Sequence, residues 1–425
     1  MEEVYTLTKQ RSLLSSSLLL LSATMIMNLS NYGFQLYMSR HLTTISYGAL
    51  NSLLSLFMIL SVPTNSVLMI VSRYIAKHVT LKELDKAKTL FHQLFKRISF
   101  LAGGVFILFV SLSPIISSYL KVNSLLPVFI IGAVVFFAFI MPIPLGALQG
   151  LQRFGYLGLG FALLGLLRLG SGVFFEQGGG GLNGALGASL FAYGVVFFLA
   201  LTFLRGSFHP QEAPLGGELK EVFRYSFPVL ISFLSLMILT NSDMILIKHY
   251  FPAEDAGLYA AVAVLGRTIL YIPTAIVLAL FPMVTELHTL NQDVFKLLRK
   301  ALLYTLILSG VGVGAFLIAP QFLISFLFGQ KFSPVAPLLR LYGVAMLSYS
   351  LLNVLMSFNL ARRSAIFIYS FVAAAVVQIS LICAFHRSLQ EILYIIILCG
   401  LALLLFNLLL LYHHKRKIHH ARQSS

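Results

Sequence analysis

Charge is scarce in this chain: 10% of its 425 residues are Asp, Glu, Lys or Arg, against 58% hydrophobic ones. Two or three soluble domains would fit the length, but not a surface so poor in charge, so the composition points to a protein that crosses a bilayer many times. Acids are scarcer still, 14 against 30 Lys and Arg. Cysteine occurs twice, at Cys383 and Cys399, both in apolar runs, which excludes a disulfide framework. The glycine run at 178–181 is followed by no Lys-Ser/Thr pair and preceded by no strand, so it reads as a flexible linker and not as a phosphate-binding loop. Glu254-Asp255 is the nearest thing to a catalytic carboxylate pair, and adjacent acids in a tight turn are ordinarily just solvated. No metal site and no cofactor are expected.

What is abundant is apolar runs long enough to cross about 30 Å of hydrocarbon as helices. Twelve are read, at 13–36, 48–72, 98–120, 125–148, 157–175, 184–204, 225–249, 257–283, 301–328, 335–359, 365–386 and 390–412. The first lacks a small-residue cleavage site and follows Lys9 and Arg11, so it reads as a retained helix. With the N-terminus in the cytoplasm, twenty-two of the thirty basic residues fall on inside segments and five, Arg40, Lys121, Lys248, Lys331 and Arg387, on outside ones. The net charge of +16 is thus mainly a topology signal, and nucleic acid is not the expected partner. Both termini are expected in the cytoplasm. Residues 73–97, with Leu81, Leu84, Leu90 and Phe91 among the bases, read as a solvated or interfacial helix touching anionic lipid. The histidines His413, His414, His419 and His420 alternate with Lys415 to Lys417 in a basic tail, 413–425, lying against the membrane.

The remaining three basic residues, Arg168, Arg267 and Arg340, fall inside or at the edge of spans, where a charge costs roughly 2.5–3.5 kcal/mol on insertion scales. Asp243 is the one acid deep in an apolar run. It stands about ten residues before the centre of an external turn and Arg267 about fourteen after it, so at ~1.5 Å per residue their depths differ by ~6 Å. A direct or water-bridged pair is expected, either pinning two helices together or serving cargo binding or proton coupling. Arg168 is expected to face a cavity and Arg340 to anchor at the interface. Thr24, Asn28, Asn31 and Gln35 share one face of the first helix, which should look into protein or water.

Sliding the chain by about 210 residues aligns Asn31 with Asn241, Pro63-Thr64 with Pro273-Thr274, Pro127 with Pro337, Gln149 with Asn359, Arg153 with Arg363, and Arg168 with Gln378. The expectation is an all-α integral membrane protein with two six-helix lobes, 1–210 and 211–412, related by a pseudo-two-fold axis along the membrane normal, with a cavity between them. The connection 205–224, rich in Pro and Gly, divides the halves.

Asn241-Ser242-Asp243, Ala256-Gly257-Leu258-Tyr259-Ala260-Ala261 and Phe281-Pro282, with Arg40, Tyr47-Gly48 and Leu148-Gln149-Gly150 in the first half, resemble the polysaccharide transport proteins. These are the lipid-linked oligosaccharide flippases of the multidrug/oligosaccharidyl-lipid/polysaccharide (MOP) exporter superfamily. The resemblance implies a MATE-like fold with alternating access in the cytoplasmic membrane and outward movement of a polyprenyl-diphosphate-linked oligosaccharide. Its implied partners are that lipid-linked glycan, membrane lipids and a coupling cation, H+ or Na+. Asn31, Arg168, Asn241, Asp243, Arg267 and Arg340 are the candidate path residues; the two asparagines would bond sugar hydroxyls or simply link helices. Cation-coupled multidrug exporters of the superfamily often keep an aspartate in the first helix, where this chain has Asn28 and Asn31, and three intramembrane arginines against one aspartate suit an anionic cargo. The lipid II flippases usually have fourteen helices, two more than are read here. A membrane-embedded polymerase or ligase acting on the same sugars would need a long external segment to gather acids and bases, and none here exceeds about a dozen residues; the chain is not expected to be an enzyme.

The charge distribution makes a direct prediction: a cysteine placed at Lys86 stays unlabelled when an impermeant thiol reagent is added outside intact cells, and reacts once the cells are opened. Strong labelling from outside would invert the topology.

Overall fold

Hydrocarbon offers nothing to backbone N–H and C=O groups, so a chain of this composition must satisfy them within each segment, and the helix does so. The computed structural model describes residues 2–205, 218–289, 294–362 and 365–423, with side chains from 15 onwards apart from residue 65, 218–226, several of 278–289, 365 and 414–423; among the described residues there is helix and turn but no strand. The chain forms two compact units, Met1–Ser226 and Phe227–Ser425. The expected division near 210, together with His209-Pro210, lies outside the described residues, as do the side chains of Phe281, Pro282, His288, Arg363 and most of the basic tail.

Unit 1 holds α1 (Glu2–His41), α2 (Thr44–Leu60), α3 (Val62–Thr80), α4 (Leu84–Ser111), α5 (Ser113–Tyr119), α6 (Leu126–Ile140), α7 (Pro142–Gly150), α8 (Phe154–Gln177) and α9 (Gly181–Phe203). The long α10 (Glu218–Tyr250) leads into unit 2, which continues with α11 (Ala253–Gly266), α12 (Thr268–Tyr271), α13 (Thr274–Thr289), α14 (Phe295–Ile318), α15 (Pro320–Phe328), a 3-10 segment (Gln330–Val335), α16 (Ala336–Ala361), α17 (Ala365–Ala384) and α18 (Leu389–Gln423). Among the described residues ten helices are long and apolar enough to cross a membrane, and eleven if α2 and α3, bent by 41°, count as one crossing. The expected segment 13–36 lies within α1, whose first side chains are outside the described set.

Several expected single spans are broken, and the breaks follow proline. Pro63, Pro114, Pro142 and Pro320 each sit in the first turn of the second piece, where the missing N–H costs nothing and the ring ends the preceding helix. At the first break Thr64 folds back on the turn: its N–H and its Oγ1 both donate to Ser61 O, at 3.0 and 2.7 Å. Tyr271 O accepts from Thr274 Oγ1 as well, so the two Pro-Thr pairs aligned in sequence build a similar local break, one in each unit. Pro228 lies inside α10 without ending it.

Residues 73–97 do not form a separate surface helix. They are the ends of α3 and α4, joined by a turn in which Lys82 adopts φ 59°. Leu90, Phe91 and Leu94 are buried against Val71, Tyr74 and Ile75, whereas Leu81 and Leu84 at the turn are exposed. Period alone could not tell these leucines apart, because the choice depends on which face α3 covers. Glu83 fastens the turn, accepting from Lys86 Nζ at 2.8 Å and sitting 2.9 Å from His78 Nδ1, and these two partners hold its carboxyl below the usual carboxylate range.

Close approach of helices in unit 1 rests on absent side chains. A Cβ on Gly165 of α8 would lie 2.7 Å from the backbone Cα and O of Met27 in α1, and one on Gly172 would lie 2.8 Å from the Phe34 ring. With Gly158, which faces Leu19, these glycines recur every seventh residue, a spacing that keeps one helix face small and lets α1 lie against it. Arg168 stands between Gly165 and Gly172 on that same face. Arg153, after the turn that ends α7, donates from Nη1 to Phe203 O at 2.9 Å and so satisfies a carbonyl at the end of α9.

Gly165→Val should therefore push α1 off α8 and cost about 1–3 kcal/mol. The expected result is a clear fall in thermal stability of the purified protein. Gly170→Ala, where a Cβ meets nothing within 4 Å, should leave it unchanged. Equal stability of both variants would remove the close-packing account.

Candidate functional site

α10 carries Asp243 into the interior of unit 2, where it is 1% exposed. Arg267 follows the last residue of α11 and is also buried, its Nη2 donating to Asp243 Oδ1 at 3.0 Å. The matched depths predicted this contact. Two groups that the depth argument did not include complete it. Tyr259 of α11 and Tyr342 of α16 both donate to Asp243 Oδ2, at 2.7 and 2.9 Å, and Arg267 Nε donates to the Tyr342 hydroxyl oxygen at 3.2 Å. The two phenol rings meet edge to face, centroids 5.9 Å apart.

The local sequence makes room for this arrangement. A Cβ on Gly266 would fall 2.1 Å from Cδ1 of Tyr342, so only glycine admits that ring beside Arg267. Cooperation among three helices leaves both carboxylate oxygens bonded and the net charge of the cluster zero. Such a pair costs desolvation when formed, but removing one partner leaves a buried charge and costs about 3–5 kcal/mol. Tyr259 had a sequence signal, since it stands in the Gly257-Leu258-Tyr259 stretch that carried the family resemblance. Tyr342 had none, because nothing local connects position 342 to position 243.

Unit 1 places its arginine differently. Arg168 Nη1 donates to Asn31 Oδ1 of α1 at 3.1 Å, and the guanidinium lies 4.3 Å from the centre of the Phe34 ring. Its Nε and Nη2 are buried without a hydrogen-bond partner, and no carboxylate pairs with it among the described residues. Nε and Nη2 form the side-on fork of the guanidinium. In Arg267 that fork is filled by Tyr342 and Asp243; in Arg168 it is empty.

The other candidates separate. Asn241 is fully buried and donates to Met237 O at 3.0 Å and to Thr240 Oγ1 at 3.2 Å, both on its own helix. Asn31, aligned with it, instead receives Arg168 from another helix. Gln378 of α17, aligned with Arg168, donates to Leu239 O of α10 at 2.8 Å and accepts from the Tyr349 hydroxyl. Arg168 thus ties α8 to α1, and its aligned residue Gln378 ties α17 to α10, with a cation in one unit and a neutral amide in the other, though the partner on α10 is Leu239 and not Asn241. Arg340 is exposed near the start of α16 and takes no part in the Asp243 cluster. Glu254 and Asp255 lie in the first turn of α11, where acids complement the helix dipole. No group of three His, Cys, Asp or Glu that could hold a metal occurs among the described residues.

The fold has known counterparts. An inward-facing multidrug resistance MATE family transporter of the MOP superfamily matches with TM-score 0.71 and 16% identity over 94% of this chain and 99% of that one. The lipid II flippase MurJ in an inward closed conformation matches with TM-score 0.72 and 14% identity over 93% and 87%. The MATE multidrug transporter DinF-BH matches with TM-score 0.63 and 15% identity over 93% and 95%. Likeness at such low identity is likeness of fold, and it defines a MATE-like, multi-pass all-α membrane protein. The sequence profile described as "Polysaccharide biosynthesis protein" matches residues 13–288, and the chain belongs to that family. No curated protein sequence matches the chain.

Coupling within the Asp243 cluster can be measured by a double-mutant cycle. Asp243→Asn and Arg267→Gln should each lower thermal stability, and the double variant should lose less than the two losses added, with an interaction of about 1–3 kcal/mol. Strict additivity would mean that the pair contributes nothing as a pair.

Proposed function

We propose that the chain flips a polyprenyl-diphosphate-linked oligosaccharide outwards across the cytoplasmic membrane by alternating access, and that Arg168 meets the diphosphate. The observation that carries this reading is the unfilled fork of Arg168 within an apolar helix pair. A guanidinium that spends one N–H on neutral Asn31 and none on a carboxylate retains its full charge, and its Nε/Nη2 edge matches two oxygens of one phosphoryl group. Both nitrogens are covered in this conformation, so a rotation of the side chain or a parting of α1 and α8 has to precede contact. A cationic drug would be repelled at the same position. The polyprenyl tail can stay in the bilayer while only the charged and sugar-bearing part crosses.

Arg267 supports the reading less directly. Its fork is already taken, so its role in the path is the support of Asp243 and Tyr342 and not phosphate contact. Asn31 orients Arg168, and Asn241, bonded within its own helix, is available to sugar only through its Oδ1, which has no partner.

The test is flipping of a polyprenyl-diphosphate-linked glycan by the protein reconstituted in vesicles. Arg168→Gln, folded as judged by thermal unfolding, should slow it by about tenfold or more, equivalent to ~1.4 kcal/mol. Arg168→Lys should fall between, because an ammonium keeps the charge and loses the fork. Undiminished flipping by Arg168→Gln, or transport of cationic dyes in preference to the glycan, would overturn the assignment.

A further inference from the structure

An ionisable side chain deep in a membrane span ordinarily marks an ion pathway or a fixed pair. For Asp243 the geometry distinguishes these. Around its carboxylate stand three donors, Arg267 Nη2 on Oδ1 and the hydroxyls of Tyr259 and Tyr342 on Oδ2. The Tyr342 hydroxyl oxygen is itself occupied by Arg267 Nε at 3.2 Å. A metal cation needs the reverse, several oxygen lone pairs turned towards one point. The positive charge that such a site would attract is already present, and it is covalently attached.

Two further features fit Arg267 to this place. Its backbone joins α11 to α12, the N–H donating to Ala263 O at 3.0 Å, so the side chain is set at the break in this span. Gly266 beside it leaves the space that lets Tyr342 reach both Arg267 and Asp243. In the aligned half, positions 33, 57 and 132 hold Gly33, Phe57 and Gly132 where unit 2 has Asp243, Arg267 and Tyr342, so unit 1 has no counterpart of this cluster at those positions.

We propose that Arg267 is the resident cation of the Asp243 site: it fills the position an alkali-metal ion would take, and the transport cycle therefore uses no such ion at this carboxylate. Arg267 determines this ion selectivity. With its side chain removed, Asp243 and the hydroxyls of Tyr259 and Tyr342 surround a vacated space of cation-binding character, and Na+ enters it. The inference is independent of the cargo.

The experiment is thermal unfolding of the purified full chain in sodium chloride and in choline chloride at equal ionic strength, which reads ion binding without any transport assay. The wild type should unfold at the same temperature in both. Arg267→Ala should be less stable in choline and should gain about 2–4 °C in sodium. Arg267→Ala combined with Asp243→Asn should lose that gain. Sodium stabilisation of the wild type that disappears in Asp243→Asn overturns the proposal, as does a folded Arg267→Ala indifferent to sodium. If Arg267→Ala folds in neither salt, the wild type and Asp243→Asn decide: equal unfolding temperatures in the two salts for the wild type uphold the exclusion of Na+, and a sodium-dependent rise lost in Asp243→Asn refutes it.

Discussion

Within hydrocarbon a charge must find a partner inside the protein, and the Asp243–Arg267 ion pair is where this constraint presses hardest. Its two charges come from separate helices and are held by phenols from α11 and α16. Two consecutive helices and one distant in sequence are thereby fixed at one point. The break after α11, the glycine at 266 and the packing of α16 are intelligible as conditions for that contact. A cluster in which both carboxylate oxygens are occupied is a structural support.

Unit 1 solves the same constraint differently, by leaving it partly unsolved. Arg168 is accommodated between small residues on α8, stacked on Phe34 and tied once to Asn31. Leaving a guanidinium short of partners in an apolar setting is costly, and it is the kind of local inconsistency that a binding role repays when an anion arrives. The contrast between a filled and an unfilled fork distinguishes two arginines that hydropathy treats alike.

Much of the architecture was legible because its determinants are local. Hydropathy located the helices, and proline located their breaks, with Thr64 and Thr274 each bonding back to the carbonyl three residues earlier. The Asp243–Arg267 contact was legible as well, since two helices joined by a short turn share a depth scale. The glycines at seven-residue intervals in α8 were present in the sequence, but their meaning required α1 to be lying on them. Leu81 and Leu90 read as equals in an amphipathic stretch, and only one of them is buried.

The sequence by itself determined the class of protein, where most of the long apolar helices lie and the residues that needed partners, because each follows from transfer free energies and backbone geometry acting over a few turns of helix. Tertiary structure alone decided who the partners are. Tyr342 reaches Asp243 across 99 positions, Asn31 meets Arg168 across 137, and Asn241 turns back to its own helix although it aligns with Asn31. Those choices depend on helix rotation and on space left by residues such as Gly266 and Gly165, which are properties of packed pairs and are not encoded at any single position.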